Sequence, residues 1–334
     1  MKNKNSKPAG SVSVIIPAYN SEQFIRRAID SVLAQTHPAE EIIVVDDGST
    51  DSTGEIVQSY GPPVQYVHQA NAGPGAARNA GIRQARCEWI AFLDHDDEWL
   101  PEKLQVQLDL LQRHPDLVWA TSNFQRCLCD QNRRGLDLAP AQAEQALAGK
   151  EYFDSYFSAY LAGCRGCTDT KIIHRKVFET VGHFQTGIHR TEDMDFWCRI
   201  AFHWPRVGFS PQPLAVYHME AAPGLMRQDV KVDVFSQFID RHLKLAKKYN
   251  RLEDFMPFAS RLMQLWMRAQ LFSGDSQNLR HLLDEHGDLV PSGFRQVMRI
   301  AAVFPRTSRA ACKFLSRLVR RFRLRSQITR KSSG

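Results

Sequence analysis

The chain has 334 residues, of which 43% are hydrophobic and 10% aromatic, enough to bury the core of one large or two ordinary domains. No stretch of about 18 uncharged apolar residues predicts a transmembrane helix, and the basic start MKNKNSKPAG lacks the apolar segment of a signal peptide. Seven cysteines, an odd number, do not fit a secreted disulfide framework, so we expect reduced thiols. The formal net charge of +7 leaves open a basic surface for an anionic partner. Together these features predict a globular cytoplasmic protein.

Short apolar runs and amphipathic segments alternate along the first part of the chain. The expected strands cover 12–17, 41–47, 64–69 and 88–94, and the expected helices cover 22–35, a segment after the turn at 46–53, 74–86 and a segment that starts at Pro101. This alternation is typical of βαβ units. It predicts an α/β fold with a Rossmann-like, mostly parallel sheet flanked by helices.

The pattern weakens over 126–160, where the sequence predicts a loop and a short helix. A strand is expected at 168–175, a helix at 192–203 and one or two strands at 205–219. Two helices are then expected, at 227–249 and 253–273, without further strand signal. The sequence therefore predicts a helical extension after the α/β part.

Polar residues follow each of the first four predicted strands, at 17–20, 46–51, 69–79 and 94–97. In an open parallel sheet, ligands bind outside the carboxyl ends of the strands. A binding site is therefore expected at this edge. The GPGAAR segment has Arg78 where a dinucleotide-binding fingerprint has its third glycine, and there is no GxxxxGK[ST] motif, so neither common phosphate-binding loop is predicted.

The segment AFLDHDDEWLP, at 91–101, places four acidic residues within a window of five. Asp94 and Asp96 are two residues apart at a strand end, so in extended chain their side chains lie on one side and can reach a single ion. A few hard oxygen ligands suit Mg²⁺ or Mn²⁺. The alternative interpretation, in which Asp97 and Glu98 favour the start of the next helix, accounts for the later acids but not for Asp94.

Five segments occur in one order: SVIIPAYN, VVDDGSTD, NAGPGAARNAG, FLDHDDEW and TEDMDFWCR. Together, over residues 11–200, they resemble the inverting family 2 glycosyltransferases of the GT-A fold. The resemblance implies transfer of a sugar from a nucleotide diphosphate to an acceptor hydroxyl. It fades after about residue 220.

The resemblance also implies residue roles on the donor side. Tyr19 would lie against the uracil ring, Asp47 would hydrogen-bond the edge of the base, and the backbone near Pro17 would complete the pocket. Arg78 would support the uridine diphosphate side, where an arginine suits phosphate.

For the chemical step, the resemblance implies that Asp96 binds the cation and that Asp94 binds the ribose or the same cation. Asp193 would be the base that takes the acceptor proton. Without the resemblance, Asp193 would be interpreted as a favourable acid at a helix start. The run YHME departs from the family pattern: Glu220 stands where many relatives have a histidine, which leaves a third metal ligand open.

Residues 306–331 hold ten lysines and arginines and no acid. Within them, apolar residues of 311–322 recur at helical spacing, which predicts a basic amphipathic helix on an anionic membrane surface, here the inner face of the membrane. Packing against the body with disordered charge is the alternative. Nucleic acid is not expected, since no recognition fold or aromatic basic groove is visible.

The resulting expectation is a metal-dependent inverting transferase that uses a UDP-sugar and a glycan or lipid-linked acceptor in surface polysaccharide synthesis. Its parts would be 1–125 for the nucleotide-sugar, 126–225 for the acceptor, 226–300 as helical extension and 301–334 as basic tail. A noncatalytic relative that binds nucleotide or glycan as an assembly partner is the alternative. A nucleotidyltransferase would need a glycine-rich basic triphosphate loop near the N-terminus, and PAYNSEQF is not one.

Overall fold

The computed structural model describes residues 10–128, 133–188, 191–219 and 233–303. The described residues form two compact units. The first comprises those up to 219 together with 245–251, and the second comprises 233–244 together with 252–303. The first unit contains the sheet.

Four strands predicted from the sequence form one half of the sheet: β1 (Val12–Ala18), β2 (Glu41–Asp46), β3 (Val64–His68) and β4 (Trp89–Phe92). They lie in the order β3-β2-β1-β4, and each neighbouring pair is parallel. Every residue of β1 and β2 is buried. Helices cover both faces of such strands, which explains their continuous apolar runs.

The connecting helices are α1 (Ile25–Leu33), α2 (Thr53–Gln58), α3 (Pro74–Gln84) and α4 (Lys103–Arg113). Helix α3 packs closely on β1 at Gly81, where an added Cβ would lie 2.4 Å from Cγ2 of Ile15. Helix α4 begins at Lys103 rather than at Pro101, because residues 101 and 102 form a turn. The predicted alternation of strands and helices is confirmed.

In chain order, the first strand of the second half of the sheet is one that the sequence did not predict. The strands here are β5 (Glu98–Trp99), β6 (Trp119–Leu128), β7 (Arg133–Leu136), β8 (Tyr152–Phe153), β9 (Ile172–His174) and β10 (Val207–His218). The sheet continues from β4 as β9-β6-β10-β5, with β7 beside β6 and β8 beside β10. Strand β9 is antiparallel to both neighbours, whereas β6 and β10 are parallel. The short helix expected within 126–160 is present as Pro140–Leu147, but two short strands, Arg133–Leu136 and Tyr152–Phe153, and a second helix, Tyr156–Leu161, were not predicted there.

Four further helices belong to the first unit: α5 (Pro140–Leu147), α6 (Tyr156–Leu161), α7 (Lys176–Val181) and α8 (Glu192–His203). Helix α8 was predicted with these bounds. A 3₁₀ turn over Thr168–Thr170 precedes β9. The predicted α/β fold is confirmed; the sheet is parallel in its first half and mixed in its second.

The C-terminal part is helical, as predicted. Its helices are α9 (Asp233–Lys248), α10 (Leu252–Ser273), α11 (Ser276–His286) and α12 (Ser292–Val303). Among the described residues, no helix is both long enough and apolar enough to cross a membrane. The predicted amphipathic helix at 311–322 lies outside the described residues.

Candidate active site

The polar segments after β1, β2, β3 and β4 meet at one edge of the sheet. Asn20 joins the first two: its N–H donates to Oγ of Ser49 at 2.9 Å, and its Oδ1 accepts from the N–H of Thr50 at 2.9 Å. His95, after β4, places Nδ1 3.2 Å from the carbonyl oxygen of Pro17. The predicted meeting of these strand ends is therefore present.

Tyr19 and Asp47 differ in accessibility at this edge. The Tyr19 residue is 47% exposed, so its ring offers a flat aromatic surface to solvent. Asp47 is 4% exposed, and its carboxylate accepts hydrogen bonds from Nε2 of Gln69 at 2.6 Å and from the N–H groups of Ala72 and Gly73 at 2.9 and 2.8 Å. Asp47 therefore holds the segment that leads into α3.

Arg78, on α3, joins two acids that are far apart in the sequence. Its Nη2 donates to Oδ1 of Asp94 at 2.7 Å and its Nη1 to Oε1 of Glu192 at 3.2 Å. Burial alone would lower the pKa of Arg78, but the charges of Asp94 and Glu192 raise it above its ordinary value. The arginine thus stays charged at 4% exposure and connects the end of β4 to the start of α8.

Three carboxylates come together beside this arginine: Asp94, Asp97 and Asp169 each place an oxygen within 4.8 Å of the others. Asp96, the metal ligand expected from the resemblance, does not belong to this group among the described residues. Its carbonyl oxygen accepts from Arg27. The cluster of Asp94, Asp97 and Asp169 offers hard oxygen donors, which fit Mg²⁺ or Mn²⁺.

Sequence reasoning missed Asp97 and Asp169 as site residues. Asp97 is 1% exposed and accepts from the N–H of His218 at 2.6 Å, so it is not a solvated acid at a helix start. Asp169, also 1% exposed, accepts from the N–H of Asp94 at 2.8 Å. Asp169 comes from a turn that is distant in the sequence, and no spacing rule could have linked it to Asp94.

The two buried acids of this cluster favour a shared proton or a bound cation. Burial raises the pKa of Asp97 well above its ordinary value, and the charges of Asp169, Asp96 and Asp94 raise it further. Burial and the charge of Asp94 raise the pKa of Asp169 to about 6. Two adjacent buried carboxylates without a positive group between them are unfavourable.

Two buried lysines lie near these acids, and both pKa values are lowered by burial. The pKa of Lys103 falls to about 7; its Nζ donates to Oε1 of Gln107 at 2.9 Å and lies 3.9 Å from the ring centre of Trp99. The pKa of Lys171 falls to about 8, and its Nζ donates to Oγ1 of Thr121 at 3.0 Å. The charge of Asp169 counteracts the fall at both lysines, so they partly balance the acids.

The predicted base, Asp193, is the second residue of α8. Its Oδ2 accepts from Oγ1 of Thr168 at 3.3 Å, and its Oδ1 accepts from the N–H of Met194 at 2.6 Å. Thr168 is the neighbour of Asp169, so one short turn contacts both the acid cluster and Asp193. The structure therefore brings Asp193 to the same site as Asp94.

His218 ends β10, two residues before Glu220, the position at which a third metal ligand was left open. The Nε2 atom of His218 lies 3.3 Å from Oε1 of Glu98, and its side chain is 5% exposed. Glu220 lies outside the described residues. Beside His218, burial and the charges of Asp97 and Asp94 raise the pKa of Tyr217, which places this strand end against the acid cluster.

Comparison with known proteins agrees with this geometry. The family model described as Glycosyl transferase family 2 matches residues 13–182. An uncharacterized glycosyltransferase of Rickettsia prowazekii is 31% identical over 239 residues, which cover 70% of this chain and 73% of the relative. TuaG of Bacillus subtilis, named for teichuronic acid biosynthesis, is 42% identical over 111 residues, covering 32% of this chain and 43% of TuaG.

Among solved structures, that of TarS 1–349 of S. aureus in complex with UDP-GlcNAc superposes with a TM-score of 0.62 at 21% identity, over 91% of each chain. At this identity the similarity establishes the fold. Sequence family and fold lead to the same conclusion: the chain belongs to glycosyl transferase family 2 and is a glycosyltransferase with a GT-A fold.

Proposed function

We propose that this glycosyltransferase moves a sugar, with inversion, from a UDP-sugar to a hydroxyl of a glycan or lipid-linked oligosaccharide. The observation that carries the proposal is the turn Thr168–Thr170. Thr168 binds Asp193 at 3.3 Å, while Asp169 binds the backbone of Asp94 at 2.8 Å. One short turn therefore contacts both the candidate base and an acid cluster suited to a diphosphate-bound cation.

The donor would bind along the edge formed by the ends of β1 and β2. The exposed ring of Tyr19 would stack against uracil, and the chain at Pro17 would border the base. Asp47 remains our candidate for the edge of the base, and its contacts with the 69–73 segment would then be shared with the nucleotide. The complexes of TarS with UDP-GlcNAc and with UDP support a uridine nucleotide.

Asp94 would hold Mg²⁺ or Mn²⁺. The buried carboxylates of Asp97 and Asp169 lie beside that of Asp94, and Asp96 is the further candidate ligand from the resemblance. Such an ion neutralises charge on a departing diphosphate. Among the chain's own residues, Arg78 would fix Asp94 through its 2.7 Å ion pair. The preference of Asp97 and Asp169 for a neutralised state fits a cation there.

Asp193 would accept the proton of the acceptor hydroxyl as the oxygen attacks the anomeric carbon from the face opposite the nucleotide. Thr168, which donates to Oδ2 at 3.3 Å, would hold the carboxylate in orientation. The acids that a noncatalytic relative would have lost, Asp94, Asp96 and Asp193, are all present. This favours an enzyme over an assembly partner.

For the acceptor side, we propose synthesis of a surface polysaccharide, which the name of TuaG supports. Residues 1–125 would bind the nucleotide-sugar, 126–225 the acceptor, and 226–300 would form the helical extension. The basic segment of 301–334 would contact the anionic inner face of the membrane, close to a lipid-linked acceptor. No nucleic-acid partner is proposed.

The proposal is tested by calorimetric titration of UDP into the protein with and without Mn²⁺, repeated on Asp94→Asn and Asp96→Ala. We expect binding that requires Mn²⁺ and is lost in Asp94→Asn. The Asp96 variant tests whether that residue is also a ligand. No UDP binding by the wild-type protein in either condition would overturn the donor assignment and favour the noncatalytic alternative.

A further inference from the structure

We propose that Asn79, together with its neighbour Arg78, is a positioning residue that sets the location of the base Asp193 relative to the donor edge. The inference rests on the function proposed above. It concerns a side chain that touches neither the acid cluster nor Asp193 in any described hydrogen bond, and whose role the sequence did not indicate.

Asn79 brackets the backbone of Phe184. Its Nδ2 donates to the carbonyl oxygen of Phe184 at 2.8 Å, and its Oδ1 accepts from the N–H of Phe184 at 2.9 Å. Asn79 is 6% exposed and Phe184 is 3% exposed. The two hydrogen bonds engage the peptide groups on both sides of the Phe184 Cα, so they fix the position and orientation of this residue, because neither bond is easily replaced by water.

Phe184 in turn packs against α8. Its ring centre is 4.4 Å from that of Phe196 and 5.7 Å from that of Trp197, in an edge-on arrangement with Trp197. Both aromatic residues lie one turn of helix after Asp193. The two hydrogen bonds of Asn79 therefore constrain, through Phe184, the helix that carries the base.

Arg78 makes the second connection from α3 to α8, through Glu192 at 3.2 Å, and its guanidinium carbon lies 5.6 Å from the ring centre of Phe184. Gly75 allows the close approach, since an added Cβ would lie 3.2 Å from the carbonyl oxygen of Gln185. Helix α3 thus contacts the segment before α8 and the first residue of α8 itself. Its own start, at Gly73, is held by Asp47 at the donor edge.

Through these contacts, α3 sets the distance between the donor edge and the base. Displacement of a catalytic group by about 1 Å can lower a rate by about a hundredfold. Loss of the two Asn79 hydrogen bonds should therefore reduce the turnover rate far more than the affinity for the donor. A purely structural role would instead reduce stability and leave the turnover of the remaining folded protein unchanged.

The test compares Asn79→Ala with Gln84→Ala, an exposed amide on the same helix. The assay is UDP release from UDP-GlcNAc and UDP-glucose in Mn²⁺, with water in place of the acceptor, at a temperature where melting curves show each variant folded. We expect kcat to fall by about tenfold or more in Asn79→Ala, with UDP affinity within about twofold of wild type. Gln84→Ala should match wild type in both.

If Asn79→Ala does not fold, Asn79→Ser replaces it, and we again expect kcat to fall while UDP affinity stays within about twofold of wild type. Unchanged kcat in a folded variant, or equal losses in kcat and UDP affinity, would overturn the inference while leaving the proposed function intact. A wild-type protein that binds UDP-sugar but releases no UDP, with Asp193→Asn indistinguishable from it, would contradict the proposed function itself, and the inference with it.

Discussion

The buried acids Asp97 and Asp169 predict an unusual stability effect: Asp169→Asn should stabilise the cation-free protein at neutral pH. The Asn oxygen can still accept the 2.8 Å hydrogen bond from the N–H of Asp94. Its amide nitrogen can donate to the Asp97 carboxylate, which a second carboxylate cannot do. The substitution therefore removes a buried charge while it keeps the local hydrogen bond.

The magnitude follows from the pKa of Asp169, which rises from 3.8 to about 6 on folding. One pKa unit corresponds to about 1.4 kcal/mol, so ionised Asp169 destabilises the fold by about 3 kcal/mol above pH 6. Between these two pKa values the folded protein binds more protons than the unfolded chain, so stability falls as the pH rises. At about pH 5 roughly half of this penalty is relieved.

The assay is urea unfolding in the presence of EDTA at about pH 8 and pH 5. The free energy of unfolding of Asp169→Asn should exceed that of wild type by up to about 3 kcal/mol at the higher pH and by roughly half as much at the lower. Asp284→Asn, at an exposed position, is the matched control and should show no such pH dependence. Added Mn²⁺ should stabilise wild type more than the variant. Equal destabilisation of Asp169→Asn at both pH values would refute the reasoning.

Three further predictions concern transfer, donor binding and packing. Asp193→Asn should lower UDP release by about 10² to 10⁴-fold, as expected for loss of a general base, with UDP affinity unchanged by calorimetry; a loss under threefold would remove Asp193 as the base. Tyr19→Ala should weaken UDP binding by about tenfold through lost stacking and leave the melting temperature unchanged, because the residue is 47% exposed; unaltered affinity would place the uracil elsewhere. Gly81→Ala should destabilise the fold by about 1–3 kcal/mol in urea unfolding, because its Cβ would lie 2.4 Å from Cγ2 of Ile15; wild-type stability would mean that β1 and α3 separate easily.

The first half of the sheet could be predicted from the sequence because β2 and β4 are apolar runs, β1 is mostly apolar, and helical segments separate the four strands. Strand β6 could not, because its segment WATSNFQRCL has no such run. Two of its buried polar residues are satisfied by distant partners: Thr121 bonds Oγ1 of Thr170 at 2.7 Å, and Asn123 donates to the carbonyl oxygen of Leu138 at 2.7 Å. Polarity in the sequence therefore concealed a central strand.

The site was predictable in its local parts. Asp94 and Asp193 were chosen from motifs, and the structure brings both to one edge, although their roles stay predictions. Asp169 and Asn79 were missed for the same physical reason. Their partners, Asp94 and Phe184, are distant in the sequence and come into contact with them only when the chain folds. The expectation of Asp96 as metal ligand remains a prediction beside the cluster that contains Asp97.

The most direct test is the position of Mn²⁺, located by anomalous diffraction in crystals grown with UDP. The proposed site predicts an Mn²⁺ peak about 2.0 to 2.6 Å from a carboxylate oxygen of Asp94, with the diphosphate on the side of Asp193 and the uracil against Tyr19. A cation and a diphosphate bound away from Asp94, Asp97 and Asp169 would contradict it.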